Sequence, residues 1–518
     1  MTKWLRLGAL LAAVAITSLS CSSWSNAEPS GSTRAIHSIC NVRDFGAKGD
    51  GKTLDTRPLQ AAIDACAQRG GTVYLGAGNY VSGTLRLRSH VTLKLDHGAV
   101  LSGSHDIRDY WPSSRVGLGH TYGTDIAGEG QLTGLLVATD VNDVAIEGPG
   151  TIDGQSDSFM SNIIHKPHDY APEAVRNPRA FEAAMEDPNY GPLEPVATGR
   201  PGVLVLFFHA KDVSLKGINL RNSPNWTLVM QDIDRATIGD FSIIDNPLMP
   251  NNDGIDCMSC RDVHIHDGTI RTGDDDVVLV NSQDVTVSGL SMYSRSAAVR
   301  MESTQRAVLE GLTIESNRGL AIFASRQISR PTDSVLFSNI VMRTRLMPGH
   351  WWGKAEPIYI SVQPCEGPCR AGVRNVVFSN IEADAEAGVT IAGTPAQQVE
   401  NVELRDVRLR MVRPEPALAD AIGGNFDRRW TAGTAAEGVV KHDIPAIYCA
   451  STHGFTVRNV EISWSPQMPA YSTAALQCED SSGVVIDGFS ESGAVPKGSA
   501  TNLVRTHVER TAGVHLRP

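Results

Sequence analysis

The sequence has little of what marks several large protein classes. Positive charge is in the minority: 46 Lys and Arg stand against 57 Asp and Glu, a formal charge of −11, and no basic stripe occurs. Nucleic acid is therefore not expected as a partner. No apolar run is long enough to span a bilayer. The only candidate, residues 7–16, follows Lys3 and Arg6 and precedes Ser25-Asn26-Ala27, the pattern of a signal peptide over 1–27 cleaved after Ala27. Cys21, behind Ser18-Leu19-Ser20, also resembles a bacterial lipoprotein site, so a lipid anchor at Cys21 is the alternative. Either way the protein is expected to be exported: periplasmic, secreted or held at the membrane by lipid. Aromatic residues make up only 6% of the chain, which makes the adjacent Trp351-Trp352 conspicuous. Amphipathic helical stretches are nearly missing, which excludes helical repeats.

Cysteine is also modest. Without Cys21, eight remain, and export permits disulfides. Plausible pairs are Cys40 with Cys66, Cys365 with Cys369, and Cys449 with Cys478, although sequence alone does not fix connectivity. Cys257-x-x-Cys260 has the spacing of half a zinc site but no second ligand pair, and it lies inside a strand repeat; a structural role is expected.

What the chain does contain is a repeat. Asp143-Val144-Ala145-Ile146, Asp212-Val213-Ser214-Leu215, Asp262-Val263-His264-Ile265 and Asp284-Val285-Thr286-Val287 share one pattern. The matching positions Val213, Thr237, Val263, Val285 and Val308 are 24, 26, 22 and 23 residues apart. Val335, Val376, Val402, Val457 and Val484 continue it with longer insertions. A period in the low twenties, with short alternating strands and no helix per unit, indicates a solenoid of β-strands. The expected fold is all-β: a single-stranded right-handed parallel β-helix over 28–518 with a short N-terminal capping helix. Residues 55–70 supply that helix, started by Asp55 or Thr56 and stopped by Gly70-Gly71; it covers strand edges that would otherwise lie open. The stretch 155–200, rich in Pro, Asp and Asn, breaks the repeat and reads as a long excursion with a helix near 178–186. A Trp-containing loop at 345–357 interrupts it again.

Two acidic clusters carry the chemistry: Asn251-Asn252-Asp253-Gly254-Ile255-Asp256 and Thr272-Gly273-Asp274-Asp275-Asp276. Asp253 and Asp275 are 22 residues apart, one coil length, so they should stand on neighbouring coils with Asp274 beside them. Three close carboxylates repel, so at least one should hold its proton near neutral pH. A carboxylic acid beside a carboxylate suits glycoside hydrolysis. The alternative is an Asp ladder at a turn, or a calcium site.

Further motifs bear on that choice. Asp44-Phe45-Gly46-Ala47-Lys48-Gly49-Asp50-Gly51, Gly150-Thr151-Ile152-Asp153-Gly154-Gln155, Asn222-Ser223-Pro224-Asn225-Trp226, Asn251-Asn252-Asp253-Gly254 and Gly273-Asp274-Asp275 occur in this order. Together they resemble the polygalacturonases, glycoside hydrolase family 28. The resemblance implies an inverting hydrolase, with Asp274 as general acid and Asp253 and Asp275 jointly activating water. Asp276 falls where the family has cysteine and is taken as structural. The family's Gly-His-Gly is replaced by Ser296-Ala297-Ala298, and its Arg-Ile-Lys, which grips the galacturonate carboxylate, by Ala321-Ile322-Phe323. Arg300 and Glu302 should face outward beside the Asp cluster. Arg300 could pair with a uronate carboxylate, or with Glu302 or an Asp to hold the floor together. Asn251, His350, Trp351, Trp352 and Lys354 complete the candidate substrate contacts.

The expected activity is hydrolysis of a pectin-related or other acidic polysaccharide or oligosaccharide, with action at chain ends or internally both open and chain ends favoured by the excursion and the Trp loop, with no cofactor and no metal, by a monomer. A lyase or epimerase on the same scaffold would need a Lys, Arg or His base near the uronate. A non-catalytic glycan-binding β-helix is the third reading.

Overall fold

The computed structural model describes residues 38–111, 115–116, 134–164, 177, 179, 193–196, 199–324, 330–347, 353–363, 372–427, 439–497, 499 and 501–516. The 1–27 leader, Cys21, Cys365, Cys369, His350, Trp351 and Trp352 lie outside them, as does nearly all of the helix expected near 178–186.

From Ser38 onward the described chain is a right-handed parallel β-helix. Each coil contributes one strand to each of three parallel sheets. Three columns show the stacking. Ile255, Val277 and Val299 pair in one sheet, Val263, Val285 and Ala307 in the second, and Ile270, Met292 and Ile314 in the third. The period of two puts these side chains inside, where all are buried, and their neighbours outside. Like residues therefore stack on like: the rings of Phe337 and Phe378 lie parallel with centroids 4.9 Å apart. Turn hydroxyls follow the same rule. Ser282 Oγ donates to Cys257 O (3.1 Å) and Thr304 Oγ1 to Leu279 O (3.0 Å), and the Cys260 thiol donates to Met230 O at 3.2 Å in the same manner. Cys260 thus does a hydroxyl's structural work, and Cys257 is core.

The column of the second sheet differs in three rungs from the sequence reading. Val213 pairs with Ala236, not Thr237, and Val285 with Ala307, not Val308. Val402 pairs with Phe455 rather than Val457. An alanine fills the inward slot in the first two cases, so the β-branched neighbour was the stronger sequence signal although it points outward.

The corner between the second and third sheets is a single residue in the left-handed region, coil after coil: Asp240, Asp267, Gly289, Gly311, Asn339 and Asn380, with φ from 53° to 64°. Asp, Asn and Gly are the residues that enter this region at least cost.

The capping helix is Thr56–Ala67 and buries Leu59, Ala62, Ile63 and Cys66. Asp55 does not cap it with its side chain. It accepts instead from the backbone amides of Lys48 (2.8 Å) and Gly49 (2.9 Å), fixing the preceding turn. Cys40–Cys66 ties the first strand to this helix, and Cys449–Cys478 joins adjacent coils. The described part of the excursion forms antiparallel pairs, Met160–Ile164 with Leu193–Pro195 and Arg200–Pro201 with Arg115–Val116. Unforeseen from sequence is a second elaboration: a short helix Pro416–Ile422, then the antiparallel strands Asn425–Asp427 and Val439–Lys441. Among the described residues no helix is long and apolar enough to cross a membrane.

Candidate active site

The site lies on the outer face of the first sheet. In strand Ile255–Met258, Ile255 and Cys257 point inward, which leaves Asp256 on the opposite face. Asp256 heads an outer column that runs through Val278, Arg300, Ala321 and Tyr359. Two turns just before these strands carry the acids, and each needs its glycine. A Cβ on Gly254 would meet Asp276 O at 2.4 Å, and one on Gly273 would meet Pro247 O at 2.7 Å. The turns are cross-linked. Gly254 N donates to Asp275 O at 2.8 Å, and Gly273 N to Asn252 Oδ1 at 2.8 Å.

This brings Asp253, Asp274 and Asp275 together, with a carboxylate oxygen of each within 4.8 Å of the others. Asp253 and Asp275 are buried, whereas Asp274 is partly exposed. Asp275 Oδ1 accepts from Ala297 N at 2.9 Å, and Arg300 Nη1 stands 3.8 Å from Asp275 Oδ2. The Asp274 carbonyl accepts from Thr272 Oγ1 and Ser294 Oγ, both at 2.6 Å, and its Oδ2 lies 3.5 Å from Asn251 Nδ2. Burial, then the charge of Asp275, pushes the Asp274 carboxyl up to about 7, against the opposing pull of Arg300 and Ser296. Burial also raises Asp256 well above the usual carboxylate range, with Asp275 and Asp274 adding to it. Asp276 is raised well above that range by burial, partly offset by a hydrogen bond from Thr272 (2.8 Å). Asp245, inside the coil, accepts from Ser223 N and Thr227 Oγ1, both at 2.7 Å, yet burial holds it up to about 7. Three carboxylates at this spacing could accommodate a divalent cation; Arg200 and Arg300 already place positive charge beside them.

Arg300 and Glu302 lie on the outer face but are largely covered, 6% exposed each. In this structure Arg300 faces Asp275, and its guanidinium sits 5.3 Å from the centre of the Phe323 ring. Ala297, Ala321, Phe323 and Tyr359 form an apolar cluster beside the acids. Lys354 is buried, and its backbone amide donates to Glu356 Oε2 at 2.7 Å.

Two arginines escaped the sequence reading. Arg318, 1% exposed, pairs with Glu356 at 3.0 Å, donates to Asp427 O at 3.0 Å and lies 3.8 Å above the Tyr359 ring. It sits one coil from Ala297, across a register shift that spoils simple counting. Arg200 reaches the acids' turn from the end of the excursion, across 51 residues to Asn251. No local signal marks either contact.

Residues 199–417 match the family model "Glycosyl hydrolases family 28". They belong to that family. Residues 39–105 match a second model, "Rhamnogalacturonase A/epimerase, pectate lyase-like". Among relatives, a probable polygalacturonase of Vitis vinifera is 29% identical over 57% of this chain and 52% of its own length. The alignment thus takes in about half of that protein. An endo-polygalacturonase of Pectobacterium carotovorum subsp. carotovorum is 26% identical over 70% of this chain and 85% of its own. A solved family 28 exopolygalacturonase of Yersinia enterocolitica superimposes with TM-score 0.58 at 18% identity, over 93% of this chain and 79% of that one, a likeness of fold. Against the family pattern, this chain puts Ala297 and Ala321-Ile322-Phe323 where histidine and cations are expected. The column that held the Arg and Lys is occupied one coil earlier by Arg300 and Glu302, which pair with Ala321 and Phe323.

Proposed function

We propose that this chain hydrolyses glycosidic bonds of a pectin-related, uronate-containing glycan, with inversion, working from chain ends. The observation that carries this reading is the convergence of three aspartates, of which Asp274 alone is partly open to the groove and is held up to about 7. Asp274 gives its proton to the glycosidic oxygen as that bond breaks. Asp253 and Asp275 take a proton from the water that attacks the anomeric carbon. The oxygens lie within 4.8 Å, shorter than the roughly 6.5–9.5 Å usual between the carboxyls of inverting enzymes. Inversion therefore rests on the family resemblance, and the two bases on adjacent coils share one water.

Arg300 is the cation best placed for a uronate carboxylate, which would draw it from Asp275. Asn251 lines the acid's side of the site, while Glu302 and Lys354 are assigned to the farther bank. The relatives' names, polygalacturonase and endo-polygalacturonase, support a galacturonate polymer. Action at ends is supported by the hairpin Asn425–Asp427. Tyr359 OH donates to Asp427 O at 2.7 Å, so the hairpin lies over the outer column three coils beyond Asp275, about 14 Å along the groove.

The test is digestion of polygalacturonate, pectin and rhamnogalacturonan with wild type and Asp274→Asn, following products by chromatography and the first-formed anomer by proton NMR. Released monomer or dimer of inverted configuration, lost in the variant, is expected. An ultraviolet-absorbing unsaturated product assigns the chain to the lyases instead. A retained anomer makes Asp253 or Asp275 a nucleophile, and an active Asp274→Asn removes the acid assignment.

A further inference from the structure

Arg200 closes the excursion at the edge of the site and is 5% exposed. Its Nη1 donates to the carbonyl of Pro224 at 2.9 Å and to that of Pro250, and touches Met249 Sδ at 3.5 Å. Its Nη2 donates to Asn251 Oδ1 at 2.9 Å. Pro224 precedes one strand of the floor, Leu228–Gln231; Pro250 and Asn251 precede the next, Ile255–Met258. One guanidinium therefore ties the turn that carries Asp253 to the coil before it. It also decides which way the Asn251 amide points. With Oδ1 taken by the cation, Nδ2 is the end left to face Asp274 Oδ2, at 3.5 Å. Asn251 itself sits at φ 56°, a backbone conformation asparagine tolerates. The catalytic scheme above does not use Arg200, although a buried guanidinium is costly unless its donors are met.

We propose that Arg200 is a positioning residue for the proton donor: it orients Asn251 against Asp274 and sets its positive charge beside Asp253 and Asp274. The inference rests on Asp274 being the general acid. Among the described residues, the charged groups around Asp274 are Asp253, Asp256 and Asp275, against Arg200 and Arg300, with Ser296 and Asn251 as donors. A cation favours the ionised carboxylate. Arg200 therefore keeps both the acid and the base lower than they would otherwise be, and the electrostatic attraction runs both ways: burial pulls the Arg200 pKa down and Asp253 and Asp274 partly offset this, leaving it lowered to about 10.

The experiment is the pH profile of kcat/KM on galacturonate oligomers for wild type, Arg200→Gln, Arg200→Lys and Asp274→Asn. Arg200→Gln removes the charge, so both limbs of the bell should move to higher pH, on the order of one unit for a charge separated from Asp274 by the Asn251 amide at an effective dielectric of about 20–40. Arg200→Lys keeps the charge but not the fork. Its limbs should stay in place while kcat falls about tenfold with KM little changed. A merely structural arginine would lower the melting temperature and the active fraction without moving the limbs. An Arg200→Gln profile superimposable on wild type overturns the proposal. If Arg200→Gln does not fold, Arg200→Lys decides: wild-type kcat in that variant overturns it equally. Activity in Asp274→Asn sinks the acid assignment itself. An inactive Asp274→Asn with unmoved Arg200→Gln limbs sinks only the role given to Arg200.

Discussion

Replacing Asp245 by Asn should abolish the effect of pH on stability at one buried site. Asp245 is 3% exposed, and its carboxyl is raised from 3.8 to about 7, chiefly by burial. Below 3.8 the group is protonated in folded and unfolded chains alike, and the fold has its full stability. Between 3.8 and about 7 the unfolded chain releases this proton and the folded chain does not. Stability then falls by about 1.4 kcal/mol per pH unit, some 4 kcal/mol in all, and changes no further above that window. Asn cannot ionise. Its Oδ1 can still accept from Ser223 N, but its amide must donate to Thr227 Oγ1, reversing that bond at a cost of about 1 kcal/mol. Asp245→Asn should therefore be about 1 kcal/mol less stable than wild type at pH 3 and about 3 kcal/mol more stable at pH 8, with the curves crossing near pH 4.5. Urea unfolding at unit pH intervals measures this directly. Asp256 and Asp274 are also raised, but they are present in both proteins and drop out of the difference; Asp276, which the charge of Asp245 helps to raise, is raised less in the variant and adds to its gain at high pH. Parallel curves would refute the reasoning, because Asp245 would then already be ionised in the fold.

Three further outcomes are expected. The alkaline limb of kcat/KM should fall near pH 7, where Asp274 loses its proton, and Asp274→Asn should lose about 10²–10⁴ of the rate at every pH; a limb well above 8 would place the proton elsewhere. Glu356→Ala leaves Arg318 buried without its counter-charge, which should cost about 3–5 kcal/mol by chemical unfolding. Opening Cys449–Cys478 by Cys449→Ser releases a loop of 29 residues and should cost about 3–4 kcal/mol, read as a melting shift that reducing agent abolishes in wild type.

The coil and its acids were legible because they are periodic. A β-helix turns spatial adjacency into a fixed sequence offset, so 22 residues between Asp253 and Asp275 suffices to place them side by side. Where small residues fill inward slots, as at Ala236 and Ala307, the offset survives but the phase slips, because valine outside is a louder signal than alanine inside. Contacts made by insertions are not periodic at all. Arg200 meets Asn251 from the excursion, and Arg318 and Tyr359 meet Asp427 from the second elaboration, at separations that only the folded path defines. The outward direction of Arg300 could be read from alternation, but its approach to Asp275 depends on the path of neighbouring coils.

The one-residue left-handed corner has a consequence for how such a chain can change over time. A residue added there would flip every following side chain of the coil from inside to outside. Length can be gained only by whole coils or at the other two corners, which are the margins of the groove; the excursion, the Trp-bearing loop and the segment with helix Pro416–Ile422 all arise at those margins. New chain therefore lands where a passing polymer is met. A lineage of such proteins can exchange one customer for another by redrawing its shoreline while the ground beneath stays as it was.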